Sequence, residues 1–334
     1  MKRETFIKKT LNIVLPLLLG GGIIYWMYRE FDFTLIIGTL CGGMKWGWML
    51  FSLVFGITAQ VFRGLRWKQT LAPLGEHPHT MNCIHAIFLS YASSLAFPRS
   101  GEVLRCGVLK KYDNTSFSKS LGTVVTERVI DSLLILLITL IVFLTQIKTF
   151  LHFFSQTGTN FTQWLHTFTP TGWAITILCL ILTIAFLYIL LKRATGESKL
   201  RRILGDLKAG IFSLKDVENK WLFAIYTLAI WASYFIHFYL AFFCFDYTAS
   251  LSPMTALVTF IIGTIAVVVP VPLNGIGPWH FAVKTMLVLY GVAATNAEIF
   301  VMIVWAVQTA LIPLLGLYSL ICLTAKPTKP AKPL

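Results

Sequence analysis

Three groups of charged or polar residues interrupt apolar stretches, and their spacing decides what chemistry they suit. In the first, Thr126-Glu127-Arg128-Val129-Ile130-Asp131 opens an apolar run that continues to Leu144. On a helix Arg128 and Asp131 are three residues apart and Glu127 and Asp131 four, which predicts that all three face roughly one side. An arginine between two carboxylates is a held cation. A phosphate that displaces part of that pairing would be recognised by charge and by the planar guanidinium fork. A structural salt bridge with snorkelling side chains is the competing reading.

The second group is Pro98-Arg99-Ser100-Gly101-Glu102-Val103-Leu104-Arg105, two guanidinium groups around one carboxylate. Proline and glycine here precede a half-helix whose free N–H groups favour an anion, so backbone and Arg99 together suit one phosphate. Arg105, one turn on from Glu102, reinforces that charge or neutralises it. A plain cytoplasmic loop would place these charges equally well. The third group follows Pro270: Asn274, Gly275 and Gly277 lie before Pro278-Trp279-His280. Glycine reaches backbone conformations closed to bulkier residues, and Pro278 suits the first turn of a returning half-helix. His280 and Lys284 are four apart on it, a second headgroup contact or a proton-coupling site, unless the histidine is simply hydrogen-bonded.

The elements that must position these groups are membrane helices. Of 334 residues 56% are hydrophobic and 13% charged, and the mean hydropathy is +0.74, which excludes a water-soluble fold and a disordered chain. A carboxylate or guanidinium within hydrocarbon costs at least ~2.5–3.5 kcal/mol, so charges inside spans are functional candidates. The net charge is +14. The positive-inside bias accounts for it without nucleic acid, because 23 of the 28 basic residues, Arg63, Arg66, Arg99 and Arg105 among them, fall in segments that one topology places in the cytoplasm. The six cysteines are scattered singly and the His77-x-His79 pair has no acidic or cysteine neighbour, so neither a disulfide framework nor a metal site is expected. The N-x-[ST] matches at Asn114 and Asn160 carry little weight.

At about 20 residues per crossing, six segments qualify as full spans: Leu11 to Tyr28, Trp46 to Phe62, Leu121 to Leu144, Gly172 to Leu191, Trp221 to Phe245 and Ala297 to Leu323. The first has a basic start like a secretory signal, but it runs on through Gly20-Gly21-Gly22 into Tyr25 and Trp26, which suits a membrane helix. Two further stretches, Met81 to Phe97 and Thr255 to Val269, break at Pro/Gly clusters before Val103 to Leu109 and Trp279 to Tyr290. The expected fold is therefore an all-α polytopic membrane protein, about six full transmembrane helices plus two re-entrant or broken helical hairpins in an inverted repeat. One transmembrane domain covers 1–324, with halves 1–146 and 172–324, and a disordered basic tail covers 325–334. Between Lys192 and Lys220, Leu200, Ile203, Leu204, Leu207, Ile211, Leu214 and Val217 recur at helical spacing among Lys and Arg, an amphipathic helix on the inner leaflet or a plain topology anchor.

Taken in order, Pro98 to Arg105, Glu127-Arg128-Val129-Ile130-Asp131 and the Pro/Gly-rich break near Pro270 resemble the flippase-like transmembrane family named after the membrane domain of lysylphosphatidylglycerol synthase. The resemblance covers nearly the whole chain. It implies a polytopic protein of the bacterial inner membrane that moves a lipid with a modified headgroup between leaflets. In the named synthase a soluble aminoacyl-transferase domain follows the membrane part; this chain stops at Leu334, so lysine transfer by this polypeptide is not expected. The family's late glycine turn is often followed by a glutamate, and His280 stands near that place, so a role for that acid does not carry over.

The leading expectation is a lipid flippase or transporter that binds a phosphate-bearing headgroup at Arg99, Glu102, Arg105, Glu127, Arg128, Asp131, Asn274, Gly275, Gly277, His280 and Lys284. Its expected partners are anionic or phosphate-bearing membrane lipids and a separate lipid-modifying enzyme. No cofactor is expected, and without a G-x-x-x-x-G-K-[ST] loop transport is passive or ion-coupled. The alternatives are a membrane-embedded transferase using Glu102, Glu127 or Asp131 as a base, and a non-transporting scaffold. Both termini are expected in the cytoplasm.

Overall fold

The structure, a computed structural model, describes residues 34–97, 100–147, 198–268 and 271–325. Every described element is helical. A short α1 (Thr34–Gly38) runs into a π turn and is followed by α2 (Trp46–Leu71), α3 (Thr80–Ala96), α4 (Ser100–Asp113) and α5 (Phe117–Thr145). After the undescribed stretch come α6 (Ser198–Phe212), α7 (Lys220–Leu240), α8 (Asp246–Ala249), α9 (Pro253–Ala266), α10 (Pro272–Gly275), α11 (Pro278–Leu289) and α12 (Ala294–Thr324). Among the described residues four helices are long and apolar enough to cross a membrane: α2, α5, α7 and α12, two of them extended by a 3-10 turn. The chain is an integral membrane protein. Two other expected spans, Leu11 to Tyr28 and Gly172 to Leu191, lie outside the described residues, as does the tail beyond Ala325.

Local sequence explains where these helices begin. Ser116, Asn219 and Ser252 each accept a backbone N–H of the first turn, from Lys119, Leu222 and Thr255, and Pro253 and Pro278 occupy first-turn positions where a missing N–H costs nothing. Helix ends depart from the sequence expectation in one instructive place. Hydropathy ends the second span at Phe62, yet α2 continues to Leu71 through Arg63, Arg66 and Lys68. Arginine, lysine and glutamine are good helix formers, so a charge ends an apolar stretch without ending a helix.

Both interrupted stretches form antiparallel helical hairpins. In the first, Ser93 Oγ and Ser100 Oγ meet at 2.6 Å beside the break, while at the other end Asn82 donates to the Asp113 carboxylate at 3.0 Å. In the second, Gly263 of α9 lies under the Trp279 indole at the start of α11, and Val258 and Ile262 pack with Ala282 and Met286 further along. Helices of this length, 17 and 14 residues in α3 and α4, 14 and 12 in α9 and α11, reach only about 18–26 Å and fall short of a ~30 Å hydrocarbon core. The second break is tight, because Leu273, Gly275 and Gly277 all have left-handed backbone with φ of 54°, 77° and 91°. Its short helix α10 packs on α3 of the first hairpin.

The helix expected over 200–217 is present as α6 and a following 3-10 turn. It docks on α5 rather than standing apart. A Cβ on Gly122 would lie 2.4 Å from the Leu207 carbonyl and one on Gly210 2.5 Å from the Lys119 carbonyl, so the two backbones touch because neither residue has a side chain. The Thr126 hydroxyl closes the crossing at 2.7 Å from the Ile211 carbonyl.

Candidate functional site

Each carboxylate of the charged groups takes its partner from a different helix. Asp131 on α5 accepts two hydrogen bonds from Arg66 of α2, at 2.7 and 3.1 Å, and one from Arg63 at 3.0 Å. Arg66 also donates to the Thr227 hydroxyl of α7 at 3.1 Å, which ties three helices together. Glu127 pairs with Arg105 of α4 at 2.9 Å, both side chains at most 1% exposed, with the guanidinium 4.6 Å above the Trp67 ring. Arg128 pairs with Glu102 of α4 at 2.7 Å, with side chains 41% and 35% exposed.

These pairings correct two expectations. Arg128 is not clamped between Glu127 and Asp131, because successive residues turn about 100° around a helix and Arg128 leaves α5 in a different direction from its neighbours. Arg63, Arg66 and Arg105 are not loop charges, since all three sit on helices and are buried within the bundle. In a buried ion pair, removing one partner strands the other charge.

Next to these pairs the helices line a half-open cavity of about 400 Å³. Arg63, Arg128, Asp131, Tyr91 and Tyr234 line its charged end. Arg63 is held between the two tyrosine rings, 5.7 and 5.8 Å from their centroids, and Tyr234 Oη donates to Tyr91 Oη at 3.1 Å. Trp231, Phe238, Phe260, Trp279 and Trp305 form an aromatic wall, with Gln60, His237 and Gln308 as its polar members. Ile135, Val267, Val268, Ile312 and Leu315 supply an apolar side. Pro313 within α12 has no N–H to give the carbonyl of Thr309, one turn back at the cavity wall.

Of the residues expected at the site, Arg128 and Asp131 line the cavity. Glu102 stands behind Arg128 as its counterion, and Glu127 with Arg105 forms the neighbouring buried pair. Gly275 and Gly277 shape the second hairpin's break, where Asn274 is the third residue of the four-residue α10. His280 is buried beside the cavity wall, its ring 5.1 Å from that of Trp305. Lys284 pairs with Glu298 of α12, and neither residue reaches the cavity. Arg99 lies outside the described residues.

Sequence reasoning missed Gln60, Arg63, Arg66, Tyr91, Trp231, Tyr234, His237 and Gln308. A signal existed for three of them. Gln60, Arg63 and Arg66 recur every three residues directly after an apolar span, one polar stripe on a helix that had not ended. The aromatic members carried none, because tryptophan and tyrosine in a membrane helix read as interface anchors.

No curated protein and no solved structure matches the chain. A family model does, across residues 13–316, which include both hairpins and all the charged pairs above. Its description is lysylphosphatidylglycerol synthase TM region, and the chain belongs to that family.

Proposed function

We propose that the protein carries a phosphate-bearing lipid between the two leaflets of a bacterial inner membrane, with both termini in the cytoplasm. The observation that carries this reading is the cavity itself. Its lining combines Arg63 and Arg128 with apolar Ile135, Val267, Val268, Ile312 and Leu315, so a headgroup phosphate has cationic donors while its acyl chains keep hydrocarbon surroundings. A charged headgroup in bare hydrocarbon is the barrier to leaflet exchange, and a polar cavity lowers it. The two short hairpins favour the same reading. As re-entrant elements of an inverted repeat, entering from opposite faces, they would meet near the midplane around the substrate, an arrangement common in transporters.

The carboxylates argue for a carrier over a transferase. Glu102, Glu127 and Asp131 are each engaged by arginine, so none of the three stands unpaired to serve a transferase as its base. The deciding measurement is leaflet exchange of a fluorescent phospholipid in proteoliposomes, wild type beside Arg128→Ala. The expected result is a rate at least about tenfold lower in the variant, a barrier increase of ~1.4 kcal/mol or more, with unchanged yield and folding. Exchange at the wild-type rate would remove the arginine from the pathway and leave the scaffold reading.

A further inference from the structure

Away from the cavity, α6 and the 3-10 turn Ser213–Asp216 that follows it cross the start of α5, seated on Gly122 through Gly210. Ser213 and Val217 are buried as well. Lys208, Ile211, Phe212 and Lys215 do not share that burial. All four are exposed, and their spacing of three, four and seven residues puts them in one stripe. Two are cationic and two apolar, and Lys215 Nζ lies 5.2 Å from the Phe212 ring centroid. Beyond the turn, Trp221 stands in the first turn of α7 and is 83% exposed.

The stripe lies where spans begin. Gly122 is five residues past Phe117, the first residue of α5, hence about 8 Å along that axis, and α7 starts four residues after the turn ends. At this depth aromatic and aliphatic side chains settle among the upper acyl chains while lysines reach the phosphates. The charge has the matching sign. From 198 to 221 the sequence holds six basic and three acidic residues, and one of the acids, Asp206, accepts from the Ser116 hydroxyl at 3.5 Å. Lys110 and Lys111 close α4 at the same end of the bundle. A nucleic acid would neutralise the lysines and leave Ile211, Phe212 and Trp221 in water. An anionic lipid surface takes both kinds of side chain.

We infer that Lys208, Ile211, Phe212, Lys215 and Trp221 form a docking face for the headgroup layer of an anionic leaflet, separate from the cavity. The inference rests on α5 and α7 crossing the membrane and holds whichever lipid the cavity carries. With both termini in the cytoplasm the leaflet is the cytoplasmic one, where anionic lipids give the surface a negative potential that draws basic segments. A topology anchor is the competing role, and it would work alike on neutral and anionic bilayers.

The test is hydrogen–deuterium exchange of the full chain in nanodiscs of phosphatidylcholine alone and of phosphatidylcholine with about 30% phosphatidylglycerol, at low salt. The expected result is exchange at least about threefold slower across residues 205–221 in the anionic discs. That difference should fall by at least half at about 0.5 M salt, where exposed charges are screened. Lys208→Gln combined with Lys215→Gln should abolish it, and Arg128→Ala, which changes the cavity and not this face, should leave it intact. Equal exchange in the two kinds of disc overturns the docking face and leaves α6 an anchor. A difference that survives the paired lysine changes puts the anionic contact elsewhere, and one that disappears in Arg128→Ala assigns it to lipid bound in the cavity; either result overturns the proposal. The lipid and salt comparisons on the unmutated chain decide the matter if a variant does not fold.

Discussion

The α3–α4 hairpin and the α9–α11 hairpin have the same architecture and opposite chemistry. The first returns from its break through Gly101, Glu102 and Arg105, and its charges feed the ion pairs with α5. The second returns through Trp279 and His280, and contributes rings and aliphatic side chains to the cavity. Their tips also pack differently. A Cβ on Gly101 would lie 2.0 Å from the Ser90 carbonyl oxygen, which is backbone, whereas one on Gly263 would meet the Trp279 indole at 3.0 Å and the Val283 methyl at 3.1 Å, which are side chains. The first hairpin is locked by main chain close to the charges it must aim. The second is packed by groups that can shift. The cavity takes Tyr91 from the first hairpin and Phe260, Gly263, Thr264 and Trp279 from the second, so the first hairpin braces its charged end from behind and the second supplies much of its aromatic end.

The sharpest way to break this contrast is through the charged end. Arg66→Ala leaves Asp131 with a single arginine and Thr227 without its donor, so a loss of roughly 3–5 kcal/mol is expected, read as a collapse of the thermal unfolding temperature in detergent. A variant that melts with the wild type would mean that the buried pairs do not hold the helices. The next effect compares the tips directly. Gly101→Ala is expected to cost about 1–3 kcal/mol as an overpacked contact against backbone, and Gly263→Ala less than about 1 kcal/mol because the indole and methyl can move aside. Equal melting shifts would end the distinction between a locked and an adaptable hairpin. Arg128→Ala should lower stability by no more than about 1 kcal/mol, since its pair with Glu102 is partly exposed, while abolishing lipid exchange; a variant that loses fold and exchange together would make Arg128 a structural residue. The smallest effect is reserved for the pair outside the cavity. Lys284→Met is expected to leave exchange within about twofold of wild type, and a larger loss would draw the α11–α12 contact into the transport path.

The same contrast explains which parts of the site were visible beforehand. Both breaks announce themselves, because proline and glycine punctuate a helix wherever it folds. Charges inside apolar sequence announce themselves too, which is why Glu127, Arg128 and Asp131 stand out. Their partners do not. The side chains at 127 and 128 both find partners on α4 and that at 131 on α2, and which helix waits there depends on the packing of the whole bundle. Arg63 and Arg66 were hidden by a rule that is sound on average: basic residues after an apolar stretch belong in the cytoplasm. Here they stay in the helix because Asp131, 65 and 68 positions further along, supplies the charge that makes their burial bearable. The aromatic wall was hidden for a related reason, since a tryptophan in a membrane helix has the same local sequence whether it faces a headgroup layer or a cavity.

Composition, hydropathy and punctuation by themselves determined that the chain is a helical membrane protein with two broken hairpins and a few intramembrane charges, because each of those properties is carried by a window of about twenty residues. Only the tertiary structure decided that Asp131 belongs to Arg63 and Arg66, that Glu102 and Glu127 tie α4 to α5 through two ion pairs, and that a cavity opens between the charges and the tryptophans. Such pairings are set by the lowest-cost way to bury every charge at once, and that is a property of the packed bundle rather than of any segment within it.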